Sequence, residues 1–208
     1  MEPQSFAGVP LLWVMATGGC AVDRDAALSV AGRLVWEGGL DEENVRAREA
    51  HADLITELAV LADRHLGDHA RDARYMSALR EMLALEGHLA WVWALDDPTD
   101  AFLGADCPRC GVEVTIAVGE HGDYSAIRHW HRGDIDRRPL RPAERAGMSA
   151  LGLRLTDIAI RDGRTALSRS LPYMFGQAEC PCCGEAFAIA LAFEIRVRAR
   201  SGPQLPGT

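Results

Sequence analysis

Four of the six cysteines in this 208-residue chain fall into two copies of one pattern. Cys107-Pro108-Arg109-Cys110-Gly111 is matched far downstream by Cys180-Pro181-Cys182-Cys183-Gly184. Two cysteines at this spacing can aim both sulfurs at one point, and the glycine after the second lets the backbone turn sharply. Two such knuckles supply four thiolates, the soft tetrahedral set that a structural zinc site uses. A lone C-x-x-C is equally a redox pair, whereas a duplicated C-P-x-C-G is far more specific for a shared metal. The expectation is one Zn2+ per chain, bound by Cys107, Cys110, Cys180 and Cys183. Four protein ligands leave no open position for water, so such an ion is structural rather than catalytic.

Two cysteines remain. Cys182 sits inside the second knuckle, but the C-x-x-C spacing and the following glycine select Cys183 as the ligand. Cys20 reads as a buried or half-buried bystander. His65 and His69, four apart on a predicted helix, could share a metal on one face. They lie among Asp and Arg without the H-E-x-x-H pattern, so a solvated helix end is the simpler reading. His129-Trp130-His131 places two histidines on one face of a predicted strand, which cross-strand packing already accounts for. No zinc-deaminase signature, P-loop, G-x-S-x-G or G-x-G-x-x-G occurs.

The elements that must position the knuckles differ between the two halves. Residues 1–100 read as helices throughout. One runs from Asp23 to about Trp36, ended by Gly38-Gly39. The next starts at Asp41, with Leu54, Leu58 and Leu61 at helical spacing and Ile55 and Ala62 widening the stripe. A third runs from about His69 to Leu95, with Tyr75, Leu79, Met82, Leu83 and Leu89 inward, and Asp97-Pro98 stops it. Short connections predict an antiparallel helical bundle.

Residues 101–208 mix strands and helix. Val112, Val114, Ile116 and Val118 alternate with polar or small residues, the period of a half-buried strand. Glu120-His121-Gly122-Asp123 returns the chain into a second strand, about Tyr124 to His131. A helix is expected from Pro142 to Asp162-Gly163, burying Met148, Leu151, Leu155 and Ile158. The alternation of Phe187, Ile189, Leu191, Phe193, Ile195 and Val197 predicts a long final strand. The fold class is therefore α+β, with a helical domain at 1–100 and a small antiparallel sheet, interrupted by an inserted helix, at 101–208.

At Cys107–Gly111, Cys180–Gly184 and the strands that follow them, the chain resembles the zinc ribbons. The resemblance implies one structural zinc between two knuckles, each leading into strands of a small antiparallel sheet. It is local: a helix and an Arg-rich loop stand between the knuckles, where a simple ribbon has a short hairpin region.

Charge supports the division. Residues 1–106 hold 19 Asp+Glu against 8 Arg, a net of −11, and residues 107–208 hold 11 against 14, a net of +3. The 22 basic residues are all arginine. Leu11–Ala16 before Cys20 faintly suggests a signal sequence, but no Arg or Lys precedes it and the run is too short to cross a bilayer. A cytoplasmic protein with reduced thiols and no membrane partner is expected.

Three functions remain open at this point. The first is a non-enzymatic protein acting through contact with another protein, with zinc as a staple. The second is nucleic-acid binding through Arg128, Arg132, Arg137, Arg138, Arg141 and Arg145, with Trp130 as a stacking ring. The third is an enzyme with a site between the halves near His129 and His131. The acidic balance of the whole chain opposes non-specific nucleic-acid binding and favours the first.

Overall fold

The computed structural model describes residues 6–38, 42–95, 100–120, 122–127 and 136–201. The chain divides into two compact units, residues 1–96 and 97–208, and the fold is mixed α+β.

Unit 1 is built of helices. After a short 3-10 turn come α1 (Val9–Gly18), α2 (Ala21–Glu37), α3 (Glu42–Ala50), α4 (Ala52–Leu66), α5 (Asp72–Leu85) and α6 (Leu89–Ala94). α5 lies at the centre, packed against α2, α4 and α6. Its apolar residues explain the position: Tyr75, Leu79, Met82 and Leu83 are fully buried, at i, i+4, i+7 and i+8. α4 contributes Ile55, Leu58, Ala62 and Leu66 from one stripe. Where Gly32 of α2 meets α5, an added Cβ would lie 2.8 Å from Glu81, so only glycine allows this approach.

Three expectations for this unit need correction. The helix expected over 69–95 is two helices, because Gly87 takes φ +84°. His88 N–H donates to Leu83 O and Gly87 N–H to Ala84 O, the paired bonds of a Schellman cap. Cys20, expected to be at least half-buried, is exposed and occupies the N-cap position of α2, its thiol 3.2 Å from Asp23 Oδ2. The expected single helix after Asp41 is broken at His51 into α3 and α4; Asp41 itself lies outside the described residues.

Unit 2 opens with β1 (Asp100–Asp106), β2 (Glu113–Gly119), β3 (Tyr124–Ile127) and β4 (Arg138–Pro139), an antiparallel sheet in sequence order. Helices α7 (Ala150–Arg161) and α8 (Thr165–Met174) follow, then a two-stranded ribbon of β5 (Gln177–Glu179) and β6 (Ala186–Ala188), and finally α9 (Ile189–Ser201). Val114, Ile116 and Val118 are buried along β2, in the alternation read from the sequence. The strand expected through His131 is described to Ile127; His129 and His131 lie outside the described residues.

α7 begins later than Pro142 implied. Residues 141–143 are held in extended form, with Arg141 exchanging both backbone bonds with Gln177 and Ala143 N–H donating to Pro172 O. Ser149 then caps the helix, its Oγ accepting from Gly152 N–H.

The largest correction is the C-terminus. Only residues 186–188 are strand, and residues 189–201 form α9. β6 runs out of partner at Gln177, the last residue of β5 opposite it, so a longer strand would have no ladder. A helix satisfies its own backbone, and it buries Ile189, Ala192, Phe193 and Arg196 at i, i+3, i+4 and i+7 while Leu191 and Ile195 face solvent.

Candidate metal centre

Each knuckle is the turn of a hairpin. Asp106 pairs with Glu113 at the end of the β1–β2 ladder, and Glu179 pairs with Ala186 at the end of β5–β6. Six residues fill each turn, and the hydrogen bonds repeat. Cys107 N–H donates to Val112 O and Gly111 N–H to Cys107 O; Cys180 N–H donates to Glu185 O and Gly184 N–H to Cys180 O, all at 2.8–2.9 Å. Gly111 and Gly184 take φ +70° and +73° with open space at the Cβ position, so glycine is required there by the torsion and not by crowding.

The two turns face each other. Cys107 Sγ lies 3.6 Å from Cys183 Sγ, and Cys110 Sγ lies 3.8 Å from Cys180 Sγ. All four sulfurs lie within 4.8 Å of one another, and no other such group of three or more His, Cys, Asp or Glu occurs among the described residues. Four sulfurs around one zinc at a Zn–S distance of about 2.3 Å are spaced by about 3.8 Å, close to the two cross-knuckle separations seen here, so the donor set suits a tetrahedral ion. Cys107 and Cys180 are buried, Cys183 is half-buried and Cys110 is exposed.

The backbone already favours negative sulfur. Burial raises the Cys107 pKa, but N–H groups of Cys110 and Arg109, aided by the thiols of Cys110 and Cys183, outweigh it and bring it down to about 7. Burial pushes Cys180 up to about 12 against the N–H groups of Cys183 and Cys182. At Cys183 the Glu185 N–H lowers the pKa, yet burial and the Cys110 and Cys107 thiols leave it raised. Of the three shifted thiols Cys107 alone is favoured as the thiolate, and a metal ion at the cluster would favour the deprotonated form of each ligand.

Side-chain contacts join the first sheet to the second hairpin and hold α9 against the first knuckle. Ser125, fully buried on β3, donates its hydroxyl to Glu179 O at 2.7 Å, one residue before Cys180. Arg109 reaches across to Glu185 at 3.6 Å on the exposed rim. Arg196 of α9, only 6% exposed, reaches both ends of the first knuckle. It hydrogen-bonds Asp106, and its Nη2 lies 2.7 Å from Glu113 Oε1 in charge contact without hydrogen-bond alignment. Its Nε would lie 3.3 Å from a Cβ at Gly104, so this glycine leaves room for the guanidinium against β1. Neither Ser125 nor Arg196 was singled out from the sequence. Asp106 and Glu113, flanking the first knuckle, were the one local sign that a cation could pair there.

The other candidate residues do not assemble a site. Cys182 is exposed and lies outside the sulfur cluster. His69 lies beyond the end of α4; His65 Nδ1 is 2.9 Å from Asp68 and His69 Nδ1 is 3.9 Å from Asp25, so their carboxylate partners differ. Arg128, Trp130 and Arg132 lie outside the described residues. The described arginines of that segment are engaged: Arg138 with Asp136 and Glu179, Arg141 with Glu179, Arg145 with Asp157, and Arg137 over the Tyr124 ring. Among the described residues no helix is long and apolar enough to cross a membrane.

The fold and the cluster together define the class: an α+β protein with a four-cysteine group able to hold one metal ion. No protein-family model matches the chain, and no curated protein or solved structure matches it significantly.

Proposed function

We propose that this is a non-enzymatic protein whose four cysteines hold one structural zinc, and that it acts by contact with another protein. The observation carrying the zinc assignment is the closed sulfur set, with cross-knuckle spacings of 3.6 and 3.8 Å close to those of a tetrahedral ion. Four thiolates complete the shell, leaving no position for a substrate or an activated water. The likeness of the paired knuckles to zinc ribbons supports the same ion. The protein-partner reading is supported by the arginines around the second knuckle. Those described each have a carboxylate or aromatic partner, which leaves little unpartnered positive charge for phosphates among the described residues of that segment.

Elemental analysis of protein purified without chelators tests the metal: one zinc per chain is expected, and a content far below one, or iron in its place, refutes the assignment. Anisotropy titrations with generic DNA and RNA test the function. No salt-sensitive binding at moderate ionic strength is expected, and tight binding that fades with salt would replace the protein-partner reading with nucleic-acid association.

A further inference from the structure

We infer that the α1–α4 face of unit 1 is an interface between two copies of this chain. This goes beyond the zinc reading and involves none of its residues. α1 carries no charged side chain over its ten residues, yet Leu11, Val14 and Met15 are 64%, 56% and 37% exposed at i, i+3 and i+4. Across from them Val60 of α4 is 56% exposed. Between the two helices runs a groove of about 270 Å³ lined by Trp13, Thr17, Val60, Leu61 and Arg64. Single exposed apolar residues are ordinary, but three on α1 stand beside a groove whose α4 wall carries a fourth, Val60, the usual mark of a contact surface.

The charges indicate what covers it. Asp53, Glu57, Val60 and Arg64 recur along α4 at i, i+4, i+7 and i+11, one exposed stripe of the helix. The stripe is acidic at its N-terminal end, apolar in the middle and basic at its C-terminal end. A two-fold contact requires a surface complementary to itself, and this order is so when reversed: Arg64 of one copy meets Asp53 and Glu57 of the other, with Val60 near the axis. Glu57 is already fixed in place by the Trp13 indole N–H at 2.6 Å. Arg64 has no ion-pair partner of its own among the described residues, although residues 1–96 hold 16 Asp+Glu against 8 Arg. An anionic membrane is a poor alternative, because α1 carries no basic residue and the unit is strongly acidic.

Sedimentation of the full-length zinc-loaded protein over a dilution series tests this. A dimer that dissociates on dilution is expected. Val14→Glu with Val60→Glu should give a monomer with unchanged helical content and unchanged zinc. Arg64→Glu should weaken the dimer about tenfold, since two symmetry-related exposed pairs are lost. Asp53→Arg combined with Arg64→Glu should recover part of the loss, because positions 53 and 64 again complement one another while Glu57 stays acidic. A chain monomeric at every concentration overturns the inference. So does a dimer indifferent to Val14→Glu with Val60→Glu, or one that the double charge swap fails to rescue even in part. Co-pelleting with anionic vesicles that Val14→Glu abolishes would assign the face to a lipid surface instead.

Discussion

Arg196 makes an asymmetric prediction. Its side chain is 7% exposed, but its partners Asp106 and Glu113 are 49% and 43% exposed. Removing the cation therefore strands no buried charge, since both carboxylates keep about half their access to water. Arg196→Met also keeps an unbranched stem against Gly104, so its cost should be about 1 kcal/mol or less. Removing both anions, by Asp106→Ala with Glu113→Ala, leaves a guanidinium buried without compensation, which costs about 3–5 kcal/mol. At about 4 °C per kcal/mol for a unit of this size, the double variant should unfold at least ~12 °C lower and Arg196→Met within ~4 °C of the parent. Four of the five tryptophans lie in unit 1, so indole fluorescence follows mainly that unit. Unit 2 is better followed by zinc release to a chromogenic chelator during heating. If Arg196→Met proves as damaging as the double variant, the cation is not the buried partner and the reasoning fails.

Two further predictions concern the thiols and a buried acid. Cys110→Ser should lower zinc content and the stability of unit 2 together, whereas Cys182→Ser should leave both unchanged; loss of metal in Cys182→Ser would overturn the ligand set. Glu81 has a raised pKa, chiefly because burial outweighs the Ser29 hydroxyl and the charges of Arg74, Arg33 and His69. Its contribution to stability is thus fully present below the ordinary carboxylate range and is lost as pH rises through the raised value. Glu81→Gln keeps an oxygen for Ser29, so its urea midpoint relative to the parent should rise between about pH 4 and pH 7. A midpoint that falls relative to the parent over that interval would refute the assignment.

The cysteine cluster was legible because its information is local: residue type, spacing and a glycine that needs positive φ are all written within five positions. The stripes of α4 and α5 were legible because each helix buries one continuous face. The final helix was not. Phe187 to Val197 alternates at period two, yet Ile189, Ala192, Phe193 and Arg196 also form a helical stripe, and Ala, Leu, Glu and Arg are good helix formers. What decides between the two periods is non-local: the length of β5 and the pair of carboxylates awaiting Arg196. The start of α7 escaped for the same reason, because residues 141–143 are held by Gln177 and Pro172, some thirty residues away.

The seventy residues separating Cys110 from Cys180 also set an order of events during synthesis. A ribosome adding about 5–20 residues per second makes the second pair of thiols roughly 4–14 s after the first. For that interval the first knuckle can offer a metal only two sulfurs, and its hairpin lacks the contacts of Arg196. Arg196 comes thirteen residues after Cys183, so the clamp on the first hairpin is made only after the fourth ligand has been added. Capture of a metal ion by all four sulfurs would thereby wait for the second knuckle, and a nascent chain stalled inside the insert would expose Cys107 and Cys110 as an unprotected dithiol.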